Sequence, residues 1–271
     1  MLLSRRSRSA LVTALVGALL LCASFSTATA ASYYPSGSGG FDISTLAPRS
    51  PKKTAGCSTA YPPASYSFGI VGVTGGRAFT ENACLGSDYQ WAARASTAPT
   101  AAPSLYMNVN APIGSTASQG ATGPDGTCAS SNKTCLAYNY GWNAAQYAFS
   151  IAAQQGAAST MWWLDVETAN SWWPSSAMST LTVNGVTLNL NAVVIKGAAD
   201  FASSQGLTVG VYSTASQWTT IAGSYNPRLP NWVAGTATCS AATPFYAGAS
   251  VWLVQYSVQY AGVNYDADTA C

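Results

Sequence analysis

Histidine is absent from the 271 residues, and charge is scarce: eleven Lys and Arg and nine Asp and Glu make up 7% of the chain. Each absence removes a class of chemistry. Without histidine there is no Ser-His-Asp or Cys-His catalysis, because both need an imidazole to take and return a proton. Zinc loses its commonest nitrogen ligand and no Cys-x-x-Cys spacing replaces it, so neither a metal nor another cofactor is expected. No Gly-x-x-x-x-Gly-Lys-Ser/Thr loop or strand-linked Gly-x-Gly-x-x-Gly is present to cradle phosphate. What remains for acid–base work is the nine carboxylates, and only two of them, Glu81 and Glu167, are glutamates.

The amino terminus carries an export pattern. Arg5, Arg6 and Arg8 form a basic start, Ala10 to Ala23 an apolar run, and Ala28-Thr29-Ala30 a small-residue cleavage site. That run is short for a bilayer span, and no later segment reaches the ~18 unbroken apolar residues of a membrane helix. The expected layout is a signal peptide over 1–30, a small, polar, disordered lead-in over 31–38, and one domain over 39–271. Removing three of the eleven basic residues leaves eight against nine acidic, a net charge of −1. That balance gives no footprint for nucleic acid or an anionic membrane. Nothing signals oligomerisation, so a secreted or wall-associated monomer is expected.

Of seven cysteines, Cys22 lies in the leader. The other six are Cys57, Cys84, Cys128, Cys135, Cys239 and Cys271. An even count in an exported chain reads as three disulfides, with fifteen possible connectivities. The short Cys128–Cys135 spacing in a Gly/Ser/Asn-rich stretch favours a local staple. Sequential pairing then gives Cys57–Cys84 and Cys239–Cys271.

Short β-like runs alternate with helical stretches, the pattern of an α/β fold. Strands are expected at 41–44, 68–74, 105–110, 161–167, 207–213, 231–234, 251–256 and 264–268. Helices are expected at 87–95, 144–155, 190–204 and 216–222. Eight apolar strands with helices outside them close most naturally as a TIM-like barrel, whose chemistry sits at the C-terminal ends of strands. The Pro/Ser/Ala-rich stretch 45–65 does not read as the first crossover helix.

Met161-Trp-Trp-Leu-Asp165-Val-Glu167 is the run that carries chemistry. As a strand it turns Trp162, Leu164 and Val166 to one face and Met161, Trp163, Asp165 and Glu167 to the other. The two carboxylates then stand about 7 Å apart at Cβ, near the open end of the barrel. Like charges at that distance resist simultaneous ionisation, which separates an acid from a base. Glycosidases need such a pair, one carboxyl to protonate the leaving oxygen and another to stabilise or activate opposite it. The competing reading is a capping or solvated carboxylate. Trp163, Trp172, Trp173, Tyr212, Trp232 and Tyr256 fall at or after strand ends, where aromatic planes suit sugar faces, though core packing is the alternative for each. Arg77, after Gly75-Gly76, reads equally as a substrate contact or a surface residue.

The order of motifs resembles glycoside hydrolase family 25, the Chalaropsis-type lysozymes. Gly40-Phe-Asp42-Ile-Ser44 is similar to its first strand, Phe68 to Gly76 to its second, and Asp165-Val-Glu167 to its central Asp-x-Glu. Val209 to Ser213, Asn231 to Ala234, Trp252 to Tyr256 with Gln255, and Asn264 to Asp268 follow in the family's order. The resemblance implies a (β/α)5(β)3 barrel cutting peptidoglycan or a related amino-sugar polymer. It implies Glu167 as general acid, Asp165 orienting an N-acetyl group or stabilising positive charge, and Asp42 and Asp266 as supporting carboxylates. A non-catalytic glycan-binding protein on the same barrel and a structural coat protein remain the rival readings.

Overall fold

The computed structural model describes residues 32–44, 57, 61–63, 65–94 and 103–271. The expected signal peptide and most of the Pro-rich stretch 45–65 lie outside these. Eight strands form a closed barrel: β1 (Gly39–Ile43), β2 (Phe68–Gly72), β3 (Ser104–Asn108), β4 (Met161–Asp165), β5 (Thr208–Ser213), β6 (Asn231–Ala234), β7 (Val251–Tyr260) and β8 (Val263–Ala270). All eight expected strands are present. β1 to β7 run parallel, and β8 inserts antiparallel between β7 and β1. The chemistry-bearing end of β8 is therefore its beginning.

Helices α1 (Leu85–Ala92), α2 (Lys133–Gln154), α3 (Leu190–Ser204) and α4 (Ala215–Ala222) connect β2 through β6, and direct loops follow β6. The local sequence marks their ends. Asn132, Asn189 and Thr214 accept a backbone N–H in the first turns of α2, α3 and α4. Gln-Gly pairs close α2 and α3, where Gly156 (φ 70°) and Gly206 (φ 74°) adopt the left-handed conformation. There Ala157 N–H bonds Ala152 O and Leu207 N–H bonds Ala202 O, the six-to-one bond that consumes an orphan helix carbonyl. α2 starts earlier than its apolar periodicity indicates, because its first turns pack on the hairpin Thr122–Thr127 rather than on the barrel. A second hairpin, Met178–Val183 with Val186–Asn189, precedes α3.

Two apolar clusters result. One lies between barrel and helices, fed by the outward face of each strand, including Trp162, Leu164 and Val166 of β4. The other fills the barrel: Phe68, Ile70, Met161, Trp163, Trp232, Trp252 and Leu253. Glycines facing inward make room for these rings. A Cβ on Gly210 would lie 2.2 Å from the Trp163 ring, and one on Gly40 would lie 2.3 Å from Phe68.

Residues 32–38 correct the disordered lead-in expected over 31–38. Tyr34 enters the N-terminal end of the barrel, packs at a tilt against Phe68, stacks on Trp163 and accepts the Trp163 indole N–H at 2.9 Å. It also hydrogen-bonds Ser104. Composition hides this because Tyr33 and Tyr34 stand alone among small polar residues, with no periodicity around them. The disulfides are Cys57–Cys84, Cys128–Cys135 and Cys239–Cys271, the sequential set. The last fixes the carboxyl terminus beneath the barrel.

α2 and α3 cross at two glycines. A Cβ on Gly141 would lie 1.9 Å from Val194 O, and one on Gly197 would lie 2.2 Å from Tyr138 O. At an exposed helical site Gly→Ala gains about 1 kcal/mol. Here Gly141→Ala is expected to lower stability by about 1–3 kcal/mol or more, through forced separation of the helices. Urea unfolding gives the sign directly; a midpoint at or above wild type would contradict the packing.

Candidate active site

At the C-terminal ends of the parallel strands the barrel opens into a pit of about 120 Å³, lined by Asp42, Tyr106, Asp165, Glu167, Tyr212, Trp232, Gln255 and Asp266. The four carboxylates picked out in the sequence thus converge from β1, β4, the residues just after β4, and β8. Asp165 is 5% exposed and Asp42 8%, Glu167 is half-buried, and Asp266 stands open on the rim. No Lys or Arg lines the pit. Asp42 and Asp266 are directly opposed across β1 and β8, an arrangement that destabilises a sheet when both are ionised.

Asp165, Glu167 and Asp42 are held by neutral groups. Asn108 on β3, in register with Asp165, donates its amide to Asp165 Oδ2. Its orientation is fixed by Thr74, whose hydroxyl donates to Asn108 Oδ1 at 2.7 Å and accepts Asn108 N–H at 3.0 Å. Asp165 Oδ1 is buried with no partner of this kind and faces Glu167. Gln217, in the first turn of α4, accepts Thr168 N–H at 2.6 Å and hydrogen-bonds the Glu167 carboxylate. Across the pit, Tyr212 donates to Gln255 Oε1 at 2.8 Å, and Gln255 Nε2 donates to Asp42 at 2.8 Å. One layer deeper, Asp268 is 1% exposed; it accepts the Trp232 indole N–H at 2.8 Å through Oδ1, while Oδ2 is unpartnered.

Burial without a counter-charge raises every one of these acids above the ordinary carboxylate range. For Asp165 the causes are desolvation first, then the charge of Glu167, then that of Asp42. For Asp42 they are desolvation and Asp266, offset in part by Gln255. Glu167 is raised by desolvation and lowered by its bonds from Gln217 and Asp165. Desolvation also raises Asp266 and, more strongly, Asp268. Asp165 and Glu167 titrate as a pair, and burial raises the more enclosed Asp165 further than Glu167. Among the described residues, no set of three acidic or cysteine side chains is arranged to hold a metal ion.

The aromatic expectations divide. Tyr212 and Trp232 line the pit, Trp232 as its floor with Tyr212 4.5 Å away edge-on. Trp163 does not reach it: wholly buried one layer below, it fills the barrel and bonds Tyr34. Trp172 turns its indole N–H to Glu167 O at 2.8 Å, pinning the backbone behind the acid rather than offering a face. Trp173 is clamped by Asn191, which exchanges two hydrogen bonds with its backbone. Tyr256 alternates with Gln255 and so points outward against the helix-side core. Arg77 is exposed on the loop after β2 and does not line the pit.

Sequence reasoning missed Tyr106, Asn108, Gln217 and Asp268. Alternation along β3 puts Tyr106 and Asn108 on one face, opposite Trp163 and Asp165 of β4, a signal that register supplies. Asp268 follows from Asp266 by the same two-residue step. Nothing local marks Gln217.

The barrel is similar to that of the CTP1L endolysin, at 13% identity and a TM-score of 0.50, over 86% of this chain and 66% of that one. The chain therefore spans just under two thirds of the endolysin's length. It also aligns with a family GH25 lysozyme from Aspergillus fumigatus (16% identity, TM-score 0.48, 86% and 93% of the two chains). A family 25 glycosyl hydrolase from Bacillus anthracis aligns at 10% identity and a TM-score of 0.42, over 89% and 94%. No protein-family model and no curated protein matches the chain. At 13% identity the likeness to the endolysin is one of fold, and the chain has a TIM-type barrel.

Proposed function

We propose that the protein is a secreted glycoside hydrolase that cleaves peptidoglycan or a related amino-sugar polymer. The observation that carries this reading is the meeting of Asp165 and Glu167, with Asp42 and Asp266, in one solvent-reached pit without a cation. A structural ion pair would bring a basic partner; a binding-only cleft has no need of four neighbouring acids all raised above the ordinary carboxylate range. The fold shared with an endolysin agrees with it.

In this reading the proton held between Asp165 and Glu167 moves to Glu167 when a sugar fills the pit, since Glu167 is the member that solvent and substrate can reach. Glu167 then gives that proton to the glycosidic oxygen as the C–O bond breaks and the leaving sugar departs as an alcohol. Asp165 is left as a carboxylate, oriented by Thr74 and Asn108. It faces the positive charge developing at the sugar carbon, or the N–H of an acetamido group whose oxygen attacks that carbon. Water completes the cycle, returning a proton to Glu167. The Tyr212–Gln255–Asp42 chain holds Asp42 for a sugar hydroxyl.

Glu167→Gln keeps the shape and removes the proton. Release of reducing ends from purified cell walls by the mature protein is expected to fall about 10²–10⁴-fold in this variant. Equal rates in the two proteins would remove the enzymatic reading, and glycan capture without turnover by either would favour the binding protein instead.

The raised acids also fix the pH dependence of stability. A carboxyl with a raised folded-state pKa holds its proton more tightly folded than unfolded. Below about pH 4 both states are protonated; as pH rises beyond it the unfolded chain ionises first, and stability falls until the folded-state pKa is passed. The melting temperature is therefore expected to rise on acidification from pH 8 to about pH 5. Asp268→Asn, which retains an acceptor for Trp232, is expected to raise it at pH 8 and flatten the profile. Calorimetry across that range checks both, and a melting temperature that drops on acidification would contradict the assignment.

A further inference from the structure

The β7–β8 hairpin does not stop at the barrel mouth. Its pairing continues without a break from Leu253↔Ala270 to Tyr260↔Val263, closing through Ala261 (φ 50°) and Gly262 (φ 81°). Gln255 and Asp266 face the pit, so strict alternation assigns Ser257, Gln259 and Asn264 to the same face. The opposite face carries Tyr256, Val258, Tyr265 and Tyr260, and Tyr260 and Tyr265 pack edge-on to Phe41 on the outside of the barrel. The hairpin is anchored by its apolar side and leaves its polar side uncovered.

That polar side is a ladder of three rungs: Gln255 opposite Asp268, Ser257 opposite Asp266, and Gln259 opposite Asn264. At ~3.4 Å per residue it rises about 14 Å from the pit outward. Ser257, Gln259 and Asn264 are exposed. Gln259 Nε2 donates to Asn264 Oδ1 at 3.2 Å, a bond that uses neither Gln259 Oε1 nor the Asn264 amide N–H groups. Beyond Asp266 the ladder is uncharged and offers amide donors, amide acceptors and a hydroxyl, the complement of sugar hydroxyl and acetamido groups.

We propose that this ribbon is a glycan subsite wall, holding the sugars that extend beyond the bond being cut. The protein then engages a chain rather than a terminal disaccharide. This rests on the glycosidase reading and deepens it. The pit is a short opening at the barrel mouth lined by eight residues, so the sugars of a polymer that lie beyond it need a surface continuous with it. The hairpin supplies one.

Calorimetric titration tests the assignment, using the mature chain carrying Glu167→Gln, so that nothing turns over, and β-1,4-linked N-acetylglucosamine oligomers from the disaccharide to the hexasaccharide. Affinity is expected to climb with length. Adding Gln259→Ala and Asn264→Ala is expected to remove about ten-fold of that climb while the disaccharide binds as before, since two to three net hydrogen bonds are lost. Ser257→Tyr, which fills the ribbon at an exposed position, is expected to do the same and guards against a misfolded double variant. A climb that survives both changes overturns the hairpin assignment and leaves the glycosidase reading standing. Absence of binding at every length overturns both.

Discussion

Four carboxylates gathered at the mouth of a barrel, with no cation among them, form the constraint on which the rest of the molecule depends. Ionised together, Asp42 opposite Asp266 and Asp165 beside Glu167 would repel across a medium that screens poorly. The fold accommodates them by supplying neutral donors and by raising their pKa values through burial. Asn108 and Gln217 serve the Asp165–Glu167 pair, and Gln255 serves Asp42. An arginine in the pit would have stabilised the barrel more simply and would have stripped the acids of their protons.

The scaffold beneath is built to keep that arrangement in register. Trp232 is the floor, Trp163 the layer below, and Tyr34 the plug at the far end, joined by edge-on and stacked ring contacts and by the Trp163–Tyr34 hydrogen bond. Gly40 and Gly210 yield the volume these rings occupy. Outside, Trp172 and Asn191 tie down the segment that follows Glu167, so the acid rises from a fixed backbone although it lies beyond the end of β4. Three disulfides hold a chain that has few ion pairs to lend it surface order: Lys196–Asp200 is the one salt bridge among the described residues.

Much of this was legible in the sequence, and the reason is periodicity. The Met161–Glu167 run alternates cleanly, so it placed Trp162, Leu164 and Val166 against the helices and Asp165 with Glu167 inside. The eight strands were readable for the same reason, whereas the disulfides rested on the short Cys128–Cys135 spacing and on pairing the remaining cysteines in sequence. Where the reading failed, the deciding contacts were long-range. Trp163 has the right parity for the pit but the wrong height, and only the barrel's layering reveals that. Tyr256 was assigned by nearness to a strand end, when its parity relative to Gln255 already sent it outward. Trp172 and Trp173 lie in a loop, where no periodicity applies. The hairpin Met178–Asn189 was missed despite its Asn184-Gly185 turn (φ 51° and 79°), which is itself a strong hairpin signal. Gln217 reaches Glu167 and Thr168 from a helix about fifty residues away in sequence, and no local pattern could announce it.

The site turns on the Asp165–Glu167 pair holding a proton above the pH at which a free carboxyl ionises. With nine Asp and Glu in the whole chain, carboxyl-carbon NMR can follow each one through a titration. The account predicts that Asp165 and Glu167 titrate in two linked steps, with the later one well above the ordinary ~4, and that replacing either residue turns its partner's curve into a single, lower step. Independent single-step curves for both near pH 4 would contradict it.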